Sequence, residues 1–255
     1  MSNQLLCVRG WVVVVSMDRK WITDTLIAHR GLHDAQGNPE NSVGAFRKAV
    51  AAGYGIELDI HLSRDGRLVV FHDDNAKRLT GRDLKITSAS FAELSALRLA
   101  DTEYRISALE EVLELVAGRV PVLIEVKAGS RVDRVGSLLA SLLKGYDGPA
   151  AVQSFDPRIV VWLRRHLPDV PRGQLAGGLK EVPAARRLLL RSMAANAVSR
   201  PDFIAFELGA MPDRFVAMWQ RVLRVPLVLW TIRTEEELAK ARSFGANAIF
   251  DDIRP

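Results

Sequence analysis

The run Gly55-Ile56-Glu57-Leu58-Asp59-Ile60-His61-Leu62 decides the fold, read together with Ser63-Arg64-Asp65-Gly66 and Arg67-Leu68-Val69-Val70-Phe71-His72-Asp73 that follow it. Strand alternation sends Ile56, Leu58, Ile60 and Leu62 to one face and Glu57, Asp59 and His61 to the other. A strand with one wholly apolar face and a charged face fits a sheet covered by helices on its apolar side. Two carboxylates so placed stand about 6–7 Å apart at the backbone. If buried without a cation, their repulsion keeps one of them protonated. A hard divalent cation relieves the conflict, because carboxylate oxygens are its preferred ligands. Asp65-Gly66 between two strand-like runs signals a hairpin. With Ser63–Gly66 as a four-residue loop, Leu62 faces Arg67 and Glu57 faces His72, about 5 Å away across the ladder.

Working outward, short apolar β-branched runs alternate with amphipathic segments of helix length, the pattern of βαβ units on a parallel sheet. Eight strands are expected: Leu26–Arg30, Gly55–Leu62, Pro121–Lys127, Ala150–Phe155, Arg172–Ala176, Phe203–Glu207, Pro226–Ile232 and Ala248–Asp251. Helices are expected over Asn41–Ala52, Arg131–Leu143, Pro157–His166, Ala184–Asn196, Pro212–Leu223 and Glu235–Phe244, with another opened by a Ser107/Glu110 capping box and running to Val116. The simplest assembly is an α/β fold, a closed (β/α)8 TIM barrel. The barrel domain is expected over residues 25–255, after an N-terminal extension of residues 1–24. The connection after the second strand is too long for a βα loop. It reads as an insertion at about 63–106, with a short helix capped by Ser90 and Glu93, walling the site.

The remaining candidates fall at strand ends. Glu125 and Lys127 share one face of Val122-Leu123-Ile124-Glu125-Val126-Lys127, at the end where barrel enzymes carry their chemistry. Glu125 can complete a three-carboxylate cation site. Lys127 is a point charge for a phosphate oxygen, or an ion-pair partner of Glu125. His29-Arg30-Gly31 ends the first strand: an imidazole for acid–base work, a guanidinium able to grip phosphate with two parallel hydrogen bonds, and a glycine for a sharp turn or close approach.

Composition narrows the field. The net charge of +5 suits a small anionic substrate but does not argue for nucleic acid, and no basic stripe interleaved with aromatics occurs. The single cysteine, Cys7, excludes a disulfide framework and a cysteine-based zinc site, and fits a reducing, cytoplasmic location. The apolar run Trp11–Val15 is too short to span a membrane. Met17 is a candidate start, with residues 1–16 dispensable.

In this order, Ile27-Ala28-His29-Arg30-Gly31, Pro39-Glu40-Asn41-Ser42 with Ala45-Phe46, Ile56-Glu57-Leu58-Asp59, Val69-Val70-Phe71-His72-Asp73, Leu123-Ile124-Glu125-Val126-Lys127, Gln153-Ser154-Phe155 and Leu229-Trp230-Thr231 resemble the glycerophosphodiester phosphodiesterase family, of the bacterial cytoplasmic type. The resemblance implies hydrolysis of a small-molecule glycerophosphodiester to sn-glycerol 3-phosphate and an alcohol. It implies His29 and His72 as the acid–base pair. It implies Glu57, Asp59 and Glu125 as ligands of Ca²⁺ or Mg²⁺, with Mn²⁺ a further option. Arg30 and Lys127 are implied as phosphate contacts, with Phe155 and Trp230 lining the pocket. No nucleic acid and no stable membrane insertion is expected, and a homo-oligomer is left open. Two readings compete: a related barrel phospholipase acting on lysophospholipids, and a non-catalytic phosphodiester-binding protein. The chain departs from the family pattern at Ile249-Phe250-Asp251-Asp252, where an apolar pair followed by Thr-Asp-Xaa-Pro is expected, and at Arg233, where a smaller polar residue is common.

Overall fold

Inward and outward faces of the strands separate as their alternation dictates. The computed structural model describes residues 19–129, 131–177 and 192–255; Cys7, Trp11–Val15, Met17 and most of the helix expected over Ala184–Asn196 lie outside them. Eight parallel strands close on themselves: β1 (Ile27–Ala28), β2 (Gly55–Leu62), β4 (Val122–Val126), β5 (Ala150–Ser154), β6 (Arg172–Ala176), β7 (Phe203–Glu207), β8 (Leu227–Ile232) and β9 (Asn247–Phe250). The seam is shut by β1, which pairs with both β2 and β9. A ninth strand, β3 (Leu68–Val70), runs antiparallel to the far end of β2. Ile56, Leu58 and Ile60 pack outward in the large cluster between strands and helices, whereas Ile27, Leu123, Ala151, Leu175, Ala205, Val228 and Ile249 fill the barrel interior. The barrel expected from the strand pattern is therefore the observed fold, β6 included.

The helices are α1 (Trp21–Asp24), α2 (Val43–Ala52), α3 (Lys77–Thr80), α4 (Phe91–Ser95), α5 (Leu109–Val116), α6 (Val132–Lys144), α7 (Pro157–His166), α8 (Asn196–Ser199), α9 (Arg214–Leu223) and α10 (Glu235–Ser243). Their starts follow side-chain caps: Ser42, Asp156, Asp213 and Thr234 each accept a backbone N–H of the first turn. The expected Ser90/Glu93 capping box is present. The Ser107/Glu110 box is not. The Ser107 carbonyl instead accepts from Val70 N–H, and α5 starts one residue later, with Glu111 accepting from Ala108 N–H. The bridge between Val69 and Ala108 holds the chain extended at that point.

The long connection after β2 is folded, not a bare loop. Val69, Phe71, Ala76, Ile86, Leu94, Leu99 and Ile106 form its own small core. At the opposite end of the chain, Trp21 and Ile22 of α1 pack into the barrel interior, and Asn247 donates hydrogen bonds to the Ile22 and Thr25 carbonyls. The part of the N-terminal extension that is described thus belongs to the barrel floor.

The hairpin register differs from expectation. Leu62 pairs with Leu68, His61 with Val69 and Ile60 with Val70, one residue displaced from a Leu62–Arg67 pairing. The cause is a three-residue loop. Ser63 N–H donates to the Arg67 carbonyl, the Ser63 hydroxyl accepts from Arg67 N–H, and Gly66 adopts a φ of +89°, the left-handed position that such loops reserve for glycine. Continued, this register would set Glu57 against Asp73, not against His72.

Candidate active site

The inward residues at the C-terminal ends of the strands converge on one cavity of about 250 Å³, lined by His29, Arg30, Glu57, His72, Glu125, Lys127, Gln153, Phe155, Trp230 and Arg233, among others. Register does most of this work. Asp59 is the direct neighbour of Glu125 across the β2–β4 ladder, and Glu125 is the neighbour of Gln153 across β4–β5. Glu57, Asp59 and Glu125 are all buried, and each offers a carboxylate oxygen within 4.8 Å of the others.

Three buried carboxylates at this spacing cannot all be comfortably ionised. Burial, with the charges of Asp59 and Glu125, pushes the Glu57 carboxyl well above the ordinary range. Burial and the Asp59 charge push Glu125 up to about 7, against the pull of Lys127. Burial acts the same way on Asp59, but Lys127, His72 and Arg30 outweigh it and hold Asp59 at about 2. Lys127 Nζ donates to Asp59 Oδ1 and Glu125 Oε1, both at 2.9 Å. The Asn41 side-chain amide donates to Asp59 Oδ2 at 2.9 Å, and Arg30 N–H donates to Glu57 Oε2 at 3.0 Å. An oxygen-only donor set carrying excess negative charge fits a hard divalent cation. Glu57, Asp59 and Glu125 are the residues that would hold it.

His29 reaches the site as expected, one step beyond β1. Gly31 behind it has a φ of +81°, and a Cβ there would meet Phe46 and Ala45 at about 3 Å. The turn thus carries Arg30 back over Glu57 only because residue 31 is glycine. His72 also reaches the site, but by another route than pairing. β3 ends at Val70, Phe71 N–H still bonds to the Asp59 carbonyl, and the chain then turns. His61 Nε2–H donates to the His72 carbonyl at 3.2 Å and fixes that turn. His61 is therefore a buried hydrogen-bonding residue. Both candidate imidazoles are pulled to lower pKa, chiefly by burial.

Each imidazole meets a carboxylate at Nδ1. His72 Nδ1 lies 2.7 Å from Asp73 Oδ1, and His29 Nδ1 lies 3.4 Å from Asp251 Oδ2. That leaves Nε2 of each ring as the nitrogen able to exchange a proton with a ligand. Phe155 and Trp230 meet edge to face with centroids 6.0 Å apart and form the apolar wall. Arg30 is held by Glu40 Oε1 at 2.8 Å and lies 3.6 Å from Asp59, so part of its fork is committed to protein partners.

Several residues around the site had no role assigned from sequence. Asn41 and Glu40 were visible only as members of a motif. Asp251 shares inward parity with Asn247 and Ile249, a signal readable in the sequence beneath its departure from the family pattern. Arg78 joins Asp73 to Glu40 across space, and no local pattern announces that. Gln153 Oε1 and Trp230 Nε1 are buried in the cavity wall with no hydrogen-bond partner among the described residues, so both can serve a ligand.

Known proteins resemble this chain in sequence and in fold. The model of the glycerophosphoryl diester phosphodiesterase family matches residues 29–253. A glycerophosphodiester phosphodiesterase of Caldanaerobacter subterraneus is 38% identical over 113 residues, 41% of this chain and 45% of that protein, so the aligned stretch spans less than half of that relative's length. Bacillus subtilis YhdW, provisionally described as a glycerophosphodiester phosphodiesterase, is 36% identical over 242 residues, 89% of this chain and 93% of that protein. In fold, the chain is similar to an Oleispira antarctica phosphodiesterase solved with the product sn-glycerol-3-phosphate. The TM-score is 0.75 and the identity 24%, over 89% of this chain and 92% of that one.

Proposed function

This chain belongs to the glycerophosphoryl diester phosphodiesterase family, and from that premise we propose that it hydrolyses glycerophosphodiesters to sn-glycerol 3-phosphate and an alcohol, with His29 and His72 as the acid–base pair. The observation that carries this reading is the pair of carboxylate-backed imidazoles beside a buried three-carboxylate cluster. A binding protein has no need of two imidazoles each presenting Nε2 to one cavity. Metal-assisted acid–base hydrolysis has a use for both features.

In this proposal Arg30 and Lys127 approach the phosphate oxygens, and Phe155 and Trp230 bound the space for the alcohol. One imidazole takes the proton of the glycerol 2-hydroxyl as its oxygen attacks phosphorus. The other gives a proton to the departing alcohol as its P–O bond breaks. The resulting cyclic phosphodiester is opened by water, with the two imidazoles exchanging roles, and the glycerol phosphate is released. General acid–base assistance of this kind contributes about 10²–10⁴-fold. A divalent cation held by Glu57, Asp59 and Glu125 would supply Lewis-acid stabilisation of the phosphoryl oxygens. Ca²⁺, Mg²⁺ and Mn²⁺ all suit an oxygen donor set.

Small soluble diesters are the proposed substrates, in a cytoplasmic setting. Among the described residues no helix is long and apolar enough to cross a membrane. The test is a turnover assay on metal-stripped protein, with Mg²⁺, Ca²⁺ or Mn²⁺ restored one at a time. Glycerophosphocholine, glycerophosphoethanolamine and a lysophosphatidylcholine are offered, and the phosphate product is identified. Cation-dependent release of glycerol 3-phosphate is expected. Release of a lysophosphatidic acid alone would favour the phospholipase reading, and tight binding with no turnover would favour a sensor.

A further inference from the structure

We propose that Asp251 is the positioning residue of His29, and that His33 clamps Asp251 in place; the inference rests on the acid–base role proposed for His29. The case starts from strand parity. Asn247 and Ile249 point into the barrel, so Asp251, one step beyond β9, points into its mouth. Its backbone N–H is tied to the Ile232 carbonyl at 2.7 Å, which fixes the residue to the end of β8. Its two carboxylate oxygens then divide. Oδ2 lies 3.4 Å from His29 Nδ1, and Oδ1 lies 2.8 Å from His33 Nε2. Oδ1 also accepts Asp252 N–H at 3.0 Å. His33 sits on the loop that follows His29, and Arg254 Nη2 donates to its carbonyl at 3.0 Å. The C-terminal segment thereby holds the loop that carries the clamp. All three side chains are at least three-quarters shielded from solvent.

The chemistry follows from what a carboxylate can do. It accepts hydrogen bonds and donates none. Both imidazoles must therefore present N–H to it: His33 through Nε2, and His29 through Nδ1. A neutral His29 is then confined to the tautomer whose Nε2 is unprotonated, the form able to take a proton from a substrate hydroxyl. Once His29 is protonated, the same carboxylate stabilises it without moving. The 3.4 Å separation is at the edge of hydrogen-bond range, and such contacts commonly tighten once a ligand is bound.

The residue that does this is the one at which the chain departs from its family's pattern. A threonine hydroxyl at 251 can donate as readily as it accepts, so it does not impose a tautomer. Asp252 does not stand in: its side chain is two-thirds exposed and is directed to Arg233, at 3.9 Å.

The experiment compares wild type, D251T, D251N and H33A in steady-state turnover of glycerophosphocholine with Mg²⁺. In parallel, ¹⁵N NMR of the imidazole nitrogens reads the His29 tautomer at pH 8. D251T and D251N are expected to lower kcat about 10- to 100-fold, the range found when the outer partner of a metal-bound imidazole is removed. KM is expected to stay within about twofold of wild type, as befits an interaction made chiefly in the transition state. His29 is expected to shift from the Nδ1–H form toward the Nε2–H form. H33A should fall between wild type and D251N in both readouts. Near-wild-type kcat in D251T, or a loss of kcat with the His29 tautomer unchanged, overturns the assignment. Should D251T not fold, the near-isosteric D251N decides on the same two readouts. A wild type that turns over no glycerophosphodiester refutes the function proposed above, and the tautomer measurement then still decides whether Asp251 positions His29.

Discussion

His29 and His72 both present Nδ1 to an aspartate, yet the two pairs belong to different parts of the molecule. His29 and Asp251 sit at the ends of adjacent barrel strands, so their meeting is fixed by the β1–β9 ladder. His72 and Asp73 sit beyond the hairpin, on the edge of the insertion. The carboxylates also differ in their second partner. Asp251 has the His33 imidazole; Asp73 has the Arg78 guanidinium, at 2.6 and 3.1 Å. Arg78 makes two further bonds to Glu40, at 2.7 and 2.9 Å, and Glu40 holds Arg30. Burial opposes ionisation of Asp73, but Arg78 and His72 outweigh it and hold the carboxyl at about 2. One imidazole is thus placed by backbone register, and the other by a side-chain chain that ties the insertion to the barrel mouth. The second arrangement depends on more separate contacts and should be easier to perturb alone.

On the His72 side, short of deleting the imidazole, the largest effect should come from cutting that chain. Arg78→Ala releases Asp73 and Glu40 together and is expected to lower kcat about tenfold or more, with the His29 tautomer unchanged by NMR. An equal disturbance at His29 would break the distinction between the two pairs. A smaller effect is expected from Gly66→Ala. The left-handed φ at Gly66 makes alanine unfavourable by about 1 kcal/mol or somewhat more, read in a denaturant titration. Because the three-residue loop sets the register of β3, from whose end the chain bends to deliver His72, kcat should fall as well, while binding of Mg²⁺ should not.

The two pairs also show where sequence reading works. What alternation fixes was legible: the apolar and charged faces of β2 and β4, and with them the shared face of Glu57 and Asp59 and the strand-end position of Glu125. The place of His29 in the cluster was implied only by the family resemblance, and the pairing of Asp59 with Glu125 needed the β2–β4 register. The hairpin was legible as a hairpin, but its register was not. Asp65-Gly66 is compatible with a three- or a four-residue loop, and only the Ser63–Arg67 backbone pairing distinguishes them. His72 was expected in the cluster through an opposition to Glu57 that does not occur; the bend after Val70 brings it there instead. Arg78 and Glu40, 38 residues apart and joined only by side chains, left no periodic trace at all. Asp251 was hidden differently, as a mismatch to a family pattern, although its own parity pointed inward.

The carboxylate cluster, on the barrel side of this comparison, makes a pH prediction. Glu57 and Glu125 both titrate above their ordinary value of 4.5, Glu125 at about 7. A carboxyl raised in the folded state stabilises the fold fully below its unfolded pKa and loses that contribution as pH rises through its folded pKa. Without a cation, the contribution of Glu125 should therefore decline between about pH 4.5 and 7, and that of Glu57 should likewise be lost as pH rises. A bound cation removes the repulsion, so Mg²⁺ or Ca²⁺ should raise Tm by more at pH 8 than at pH 5. The difference should be about 2–4 °C for each kcal/mol involved, measured by scanning calorimetry. Equal shifts at both pH values would place the cation elsewhere. The smallest effect is expected at the N-terminus. Starting the chain at Met17 should leave Tm and kcat unchanged, because Trp21 and Ile22 of the barrel floor are retained.

The central claim, that the two imidazoles act on one phosphodiester as a unit, is tested most directly by steady-state turnover of glycerophosphocholine in H29A, H72A and the double variant. Each single variant should lose about 10²–10⁴-fold in kcat, and the double variant should be little worse than the poorer single one, as groups acting together behave. Near-wild-type turnover in either single variant, or losses that multiply in the double variant, would contradict it.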